Sequence, residues 1–533
     1  MAIRKPSGQR SSRALRMPLA AIVALACFEL VPQIRSSAAL AGCFASASGV
    51  LLVWWAVIWA RASARDLQVD IVLRPEHYRQ AVTQLAIYVF WGYYWAPIRD
   101  GAALIAAQLV FAYAFDMLLT WSRRDSYRLG FGPWPIIFSI NLFIRFRDDW
   151  FALQFVIIAA GFLAKEFLRW NKEGRSAHIF NPSSFPLAIA SLVLIATQTT
   201  HLTWGEDLAN QLIAPPQIYL FLLLVSLPGQ FAFRVTTMTL PAVLTTYLFS
   251  EAYLRATGTY FFFDSNIPIA VFLGMHLLVT DPSTSPRTEL GRILFGTFYG
   301  ATVVGLYAFL AWIGAPTFYD KLLQVPLMNL MVRALDRGAQ SPSLAWLSPE
   351  RLGASLTPRM RSLAYVSLWV VIFSAMTAAG GLGDYHPGFS VKFWEQACRE
   401  NRRDACTNLA RLESDPCRRN SGWACNELGI LVATGRVEAM PAAEFFKHAC
   451  AVGFAAGCAN QQALASNARD FRHEDPRLQD YSWILREGKA ARPNLTPFEI
   501  YTQACDRGWM AACRSLAGQP GRPAPGPAGP PRE

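Results

Sequence analysis

Apolar runs separated by short polar or basic stretches recur through the first 380 residues of the chain. A helix needs about 20 mostly apolar residues to cross a bilayer. The pattern predicts spans near 18–34, 39–60, 81–97, 102–121, 150–164, 183–199, 212–233, 235–250, 266–280, 293–314 and 362–379. The run 133–144 is too short for a safe span and suits a re-entrant segment. The apolar pattern stops beyond residue 380, where Gly380, Gly381 and Gly383 open a linker.

Two polar knots interrupt the apolar region. One is Thr280-Asp281-Pro282-Ser283-Thr284-Ser285-Pro286, between an apolar run that ends near it and another that starts at Ile293. Its prolines fix φ and remove backbone donors, so no helix continues through it. Polar, irregular backbone near bilayer depth is tolerated only where it is buried in protein or lines a cavity. The first knot in chain order, Arg175 to Phe185 (RSAHIFNPSSF), also precedes an apolar run, so the Thr280 to Pro286 knot is the second. Asn181-Pro182-Ser183 is a helix start, with Pro in the first turn and an Asn or Ser cap oxygen. Its role is either to cap, or to offer free N–H groups to a phosphate. His178 is either a structural hydrogen-bonder or a contact to the same group. Arg292, expected with Gly291 to open the helix after the second knot, is an anion partner or a membrane-edge anchor. Asp281 would neutralise Arg292 or line a cation path.

HIFNPS followed about a hundred residues later by TDPSTSP and Gly-Arg resembles a family of membrane subunits. That family contains the D subunit of the Rnf electron-transport complex and the B subunit of the sodium-pumping NADH:quinone reductase. The resemblance covers roughly Gln80 to Leu310. It implies a redox subunit that binds FMN or another flavin, sits among other electron-transport subunits and is coupled to ion movement. It assigns cofactor contact to His178, Asn181, Ser183, Asp281, Ser283 and Arg292. It also implies that the two knots, Asn181-Pro182-Ser183 and Asp281-Pro282-Ser283, approach each other and frame one site. The family's covalent flavin motif, an SGAT-type threonine, has no match here. The nearest threonines are Thr236, Thr237 and Thr239 in RVTTMTLP.

Composition agrees with a membrane protein: 53% hydrophobic and 16% charged. The net charge of +12 is explained by Lys and Arg in cytoplasmic loops. No aromatic-basic stripe of a nucleic-acid module is present, so no nucleic-acid partner is expected. Arg4, Lys5, Arg10, Arg13 and Arg16 make residues 1–17 a basic, disordered cytoplasmic tail. The N-terminus also has the form of a signal peptide; ahead of a multispan chain, an uncleaved first helix is favoured. Residues 18–314 form the transmembrane domain, 315–361 an Arg-rich cytoplasmic loop and 362–379 the last span. Within that loop, Tyr319 to Leu335 has the pattern of an interfacial amphipathic helix. The aromatic cluster Tyr88 to Trp95 is an interfacial belt or a stacking surface for a flavin or quinone. Asp116, deep in an apolar run, is a functional group or pairs with Arg123 or Arg124.

Eight of the ten cysteines lie beyond residue 390, in four pairs with seven residues between partners. These are Cys398/Cys406, Cys417/Cys425, Cys450/Cys458 and Cys505/Cys513. Constant spacing signals a repeat. AC-x2-G-x4-C, met at Cys450 to Cys458 and Cys505 to Cys513, resembles the cysteine-rich Sel-one-like repeats, tetratricopeptide-like helix hairpins. The first pair lacks the Gly, and the second has it two places late, at Gly422. The resemblance implies a disulfide within each pair, with the first Cys ending one helix and the second starting the next. Such bridges need an oxidising compartment, here the periplasm. Zinc is disfavoured by the spacing, and no metal site is expected. Residues 393–517 would be the repeat domain and 518–533 a disordered Pro/Gly tail.

The fold class expected is therefore all-α: a polytopic helical membrane domain of about 10–12 spans, followed by disulfide-stapled αα-hairpin repeats. The expected place is the bacterial inner membrane, with the lipid bilayer as one partner and a periplasmic protein, bound through the repeats, as another. Three functions compete: a redox membrane subunit, a membrane-anchored interaction scaffold, and a penicillin-binding or β-lactamase-like repeat protein. No Ser-x-x-Lys nucleophile supports the third between residues 390 and 517. The chain is at most a subunit of a membrane oxidoreductase.

Overall fold

The computed structural model describes residues 7–473, apart from 63, 64, 173, 214, 264, 384, 385, 390, 419, 420 and 469. The described residues are mostly helical, at 72% helix. The described residues also hold four short strands, an exception to the all-α expectation. Strands β1 (Gln68–Ile71) and β2 (Ser126–Leu129) pair in parallel, and β3 (Arg169–Lys172) and β4 (Arg175–His178) form an antiparallel hairpin.

The principal helices are α1 (Ser7–Cys27), α2 (Ala38–Ala60), α3 (Pro75–Tyr94), α4 (Ala102–Arg123), α5 (Pro133–Phe143) and α6 (Ala152–Phe167). They continue as α7 (Ser184–Ala196), α8 (Ile218–Phe233), α9 (Thr236–Thr257), α10 (Ile269–Leu277), α11 (Glu289–Trp312), α12 (Asp320–Ala339) and α13 (Pro358–Ala378). The C-terminal helices are α14 (Val391–Arg399), α15 (Ala405–Arg418), α16 (Gly422–Ala433), α17 (Ala442–Ala451) and α18 (Ala455–Ala465). The chain divides into two compact units. One is Met1–Thr246 with Ile269–Ile372; the other is Tyr247–Pro268 with Phe373–Glu533.

In the first unit, the sequence pattern and the helices differ in three ways. Among the described residues, four helices are long and apolar enough to cross a membrane: Ala38–Ala60, Ala96–Arg123, Glu289–Trp312 and Pro358–Ala378. Pro133–Phe143, Ser184–Ala196 and Ile218–Phe233 are apolar but shorter. At 1.5 Å per residue, α7 and α10 extend only about 20 and 14 Å. Second, α1 begins at Ser7, within the stretch expected as a disordered tail. Third, the segment expected as an Arg-rich loop holds α12, a helix of 20 residues that packs along α11 and α7. Part of its polar face is turned into the unit, while Leu327, Leu330 and Met331 are exposed. Asp320, Lys321, Gln324 and Asn329 are all buried, beside Val325, Met328 and Val332. α12 runs antiparallel to α11. Near its start, Gln324 Oε1 accepts from Thr302 Oγ1. Near its end, Asp336 accepts from the N–H groups of Arg287 and Thr288.

The short α5 is buried along almost its whole length. Its polar residues meet partners inside the unit. Gln84 Nε2 donates to Ser139 Oγ at 2.7 Å, and Asn141 Nδ2 donates to Gln108 Oε1 at 2.6 Å. Such pairs are what a buried amide requires. The aromatic cluster is largely internal too. Trp91 is fully buried and donates to Gln211 O, and Tyr88 donates to Phe138 O. Phe90 stacks on Phe221 at 4.1 Å, while Tyr93 is exposed. Asp116 accepts from the Tyr127 hydroxyl at 3.2 Å; Arg123 and Arg124 pair with Glu166 instead.

In the second unit, three disulfides join Cys398 to Cys406, Cys417 to Cys425 and Cys450 to Cys458. Cys505, Cys513 and the Pro/Gly tail lie outside the described residues. Each bridge joins the last turn of one helix to the first turn of the next, so α15 is bridged at both its ends. Gly453 takes the left-handed conformation, φ +85°, at the turn after α17. The first pair has no Gly there, and Asn401, φ +52°, takes the position. Asn is the side chain best suited to that region after Gly. Gly422 has a different role: a β-carbon there would stand 2.5 Å from Phe454 Cβ, so the glycine permits close packing. The loop after α9 packs on the same unit. Tyr260 meets His386 and Phe393, and Arg402 Nη1 donates to Gly258 O at 2.8 Å.

Candidate functional site

The hairpin β3–β4 ends at His178 and delivers the chain into the first knot. The knot closes on itself through Asn181. Its Oδ1 accepts from Ser183 N at 2.9 Å, Ser183 Oγ at 2.8 Å and Ser184 N at 3.1 Å. Asn181 is thus the cap for α7, and Ser183 donates to it rather than capping. Helix α6 lies tight against this turn: a β-carbon at Gly161 would stand 2.5 Å from the Pro182 carbonyl oxygen.

The second knot is also a closed turn. Asp281 Oδ1 accepts from Ser283 N at 3.0 Å, and Oδ2 accepts from Thr284 Oγ1 at 3.0 Å. The Ser285 hydroxyl donates to the Asp281 carbonyl. Asp281 does not cap the following helix. That helix starts at Glu289, not at Gly291, and its cap is Thr288, whose Oγ1 accepts from Gly291 N at 3.1 Å.

The two knots meet. Asn181 Nδ2 donates to Leu278 O at 3.2 Å. Asn329 of α12 bridges them: its Oδ1 accepts from Asn181 N at 3.0 Å, and its Nδ2 donates to Thr284 O at 3.2 Å. Asn181 and Asn329 are both buried, at 5% and 2% exposure, so these bonds are shielded from competing water. Sequence reasoning missed Asn329. The available signal was a lone Asn on the polar face of the 319–335 segment, two helical turns before Asp336.

Outside this joint, His178 Nε2 stands 3.6 Å from Asp281 Oδ2, too far for a hydrogen bond, and has no other partner among the described residues. Both side chains are partly exposed, and Ser283 is exposed. Burial works against the Asp281 carboxylate, but the His178 ring and the donors from Ser283 and Thr284 outweigh it and hold its pKa below the usual range. Arg292 belongs elsewhere. Its guanidinium donates to Pro286 O at 2.9 Å and to Arg234 O at 3.1 Å. The acids nearest to it in effect are Glu289, Asp336 and Glu350, not Asp281.

This arrangement tests the groups expected to bind there. A flavin phosphate does not fit at the start of α7, because Asn181 Oδ1 already takes the N–H groups of Ser183 and Ser184. It does not fit beside Asp281 either, where like charges would face each other. The Asp281 carboxylate already accepts from Ser283 N and Thr284 Oγ1, and His178 Nε2 is buried beside it. Thr239, one of the threonines nearest to a covalent site, is buried and tied to Gln230 and Met275 O. No group of three or more His, Cys, Asp or Glu side chains could hold a metal among the described residues. Compared with protein-family models, curated proteins and solved structures, the chain matches none of them.

Proposed function

We propose that this chain is a multi-pass inner-membrane subunit of an electron-transport assembly, similar to the D subunit of the Rnf complex, with its repeats in the periplasm as a docking arm. One observation carries the reading. The two motifs that make the resemblance are a hundred residues apart in sequence, yet Asn329 bonds to both, and Asn181 also donates to Leu278 just ahead of the second. Two broken helices meeting at one joint are the kind of irregular backbone that membrane proteins tolerate where it serves a site. In this reading, Asn181 and Ser183 hold the joint. His178, Asp281 and Ser283 form its accessible edge, where a flavin ring would be contacted. When bound, the flavin would supply the electron chemistry; the residues of the chain orient it and fix its hydrogen bonds.

The short helices α5, α7, α8 and α10 are counted in this proposal as partial or re-entrant segments beside the four long apolar helices. A scaffold without redox activity is the competing reading. It is favoured by the internal satisfaction of both knots, since a purely structural joint needs no ligand.

The test compares Asp281→Ala with Asn181→Ala in purified full-length protein. The redox reading expects a flavin absorption band in the wild type. Asp281→Ala should lower the flavin content at nearly unchanged thermal stability. Asn181→Ala should cost stability, roughly 1–3 kcal/mol, because it strands buried N–H groups. A colourless wild-type preparation with an intact fold would overturn the redox reading in favour of the scaffold.

A further inference from the structure

A cavity of about 560 Å³ opens at the end of unit one where α3 and α13 begin and α8 finishes. Three arginines line it, one from each helix end: Arg79 near the start of α3, Arg359 in the first turn of α13, and Arg234 directly after α8. None of its lining residues is acidic. Arg79, Arg234 and Arg359 are exposed, and their side chains make no ion pair among the described residues. Other arginines of the unit do have acidic partners, Arg65 with Asp125, Arg147 with Asp207 and Arg361 with Glu289. Three guanidinium groups around one cavity repel each other unless an anion lies between them.

The walls are fixed. Ser362 Oγ of α13 donates to Phe231 O of α8 at 3.0 Å, which fastens the two helix ends together. Arg234 holds a left-handed backbone, φ +54°, a conformation that costs a non-glycine residue about 1–2 kcal/mol. Its carbonyl accepts from Arg292 Nη1 and its N–H donates to Gln230 O, so the turn is held from both sides. The remaining wall is apolar, from Pro228 and Phe231, and Phe231 is 42% exposed. The N-terminal ends of α3 and α13 add the positive ends of two helix dipoles.

We propose that this cleft binds a phosphate-bearing anion with an apolar body. The guanidinium groups suit bidentate contact with phosphate oxygens, and the apolar wall suits the part of the ligand that leaves the phosphate. An anionic phospholipid headgroup and a soluble phosphate ester share this chemistry. Basic pockets between membrane helices are a known form of headgroup site. The proposal does not rest on a flavin at the knots: the cleft's three arginines are distinct from His178, Asp281 and Ser283, although Arg292 donates both to Pro286 O of the second knot and to Arg234 O.

The test uses full-length protein purified in nonionic detergent and stripped of lipid. Phosphatidylglycerol, phosphatidylcholine and glycerol 3-phosphate are added separately. Thermal midpoint and retained lipid by native mass spectrometry are read for each. Phosphatidylglycerol should raise the midpoint and stay bound, while phosphatidylcholine should not. Equal stabilisation by glycerol 3-phosphate would assign the site to a soluble ester; stabilisation by phosphatidylglycerol alone would assign it to lipid. The double variant Arg79→Gln/Arg359→Gln should weaken binding roughly thirty-fold. Arg79→Lys/Arg359→Lys should retain more of it, and Arg351→Gln should bind as the wild type does. The proposal fails if phosphatidylcholine is retained as well as phosphatidylglycerol and glycerol 3-phosphate has no effect. It also fails if the Gln double variant, eluting and folding like the wild type, keeps full affinity.

Discussion

A buried carboxyl group, with a histidine nearby, makes the stability of the repeat unit depend on pH. Glu413 of α15 is 2% exposed, and its Oε2 has no hydrogen-bond partner among the described residues. Burial, with the Glu427 and Glu395 carboxylates nearby, pushes its pKa well above the usual carboxylate range. Next to it, Glu427 holds His473 Nδ1 at 2.8 Å, and this bond raises the pKa of His473 above its ordinary 6.5. Both groups bind a proton more tightly folded than unfolded. Stability therefore falls as pH rises. The Glu413 contribution begins to be lost above 4.5, its ordinary value, and the His473 contribution is lost as pH rises from 6.5 through its raised folded value. Hydrogen exchange over residues 391–465, corrected for intrinsic rate, should show stronger protection at pH 5.5 than at pH 8. Glu413→Gln should remove most of the difference by raising protection at pH 8. A variant as pH-sensitive as the wild type would show that the carboxyl group is not responsible.

The least legible element was α12. Its polar residues give it the composition of a surface helix, and hydropathy cannot distinguish a polar face turned to water from one turned inward. The structure turns it inward, where each polar side chain has a task. Asn329 joins the knots, Asp336 receives the backbone N–H groups ahead of α11, and Asp320 pairs with Lys321 at 3.0 Å. The last pair is almost fully buried, at 1% and 3% side-chain exposure. A buried pair contributes little net stability, but losing one partner leaves a bare charge in an apolar place. Asp320→Asn alone should therefore destabilise the protein by roughly 3–5 kcal/mol. Asp320→Asn with Lys321→Met should recover much of that loss. Thermal unfolding of the two variants in the same detergent decides it. If the double variant is as unstable as the sum of the singles, the two groups do not act as a pair.

At the scale of the whole chain, the features that were legible are those carried by periodicity and spacing. Long apolar runs marked the helices that are long enough to cross a bilayer, and the constant cysteine spacing marked the described bridges. Proline and polar clusters marked where helices break. The contacts between breaks were not legible, because no local pattern ties Asn181 to a side chain 148 residues away. The direction of the chain follows from these contacts. α12 returns to the end of the first unit at which α11 starts, since Asp336 meets Arg287 and Thr288 there. Glu350 accepts from Glu289 N at 2.9 Å and Arg361 pairs with Glu289, so residues 340–357 and the start of α13 stay at that end. α13 then carries 21 residues, one of the four candidate spans, away from it. Arg333, Arg337, Arg351, Arg359 and Arg361 cluster at the end that α13 leaves. In the proposed membrane subunit, the positive-inside rule would put that Arg-rich end in the cytoplasm. The disulfides beyond α13 call for an oxidising compartment. On the proposed inner-membrane placement, both rules predict cytoplasmic knots and arginine cleft and periplasmic repeats. A cysteine introduced at Ser343 should be blocked only by a thiol reagent that crosses the inner membrane. An alkaline phosphatase fused to the C-terminus should be active. Labelling of Ser343→Cys by an impermeant reagent in intact spheroplasts, together with an active fusion, would place both on one side and refute the crossing by α13.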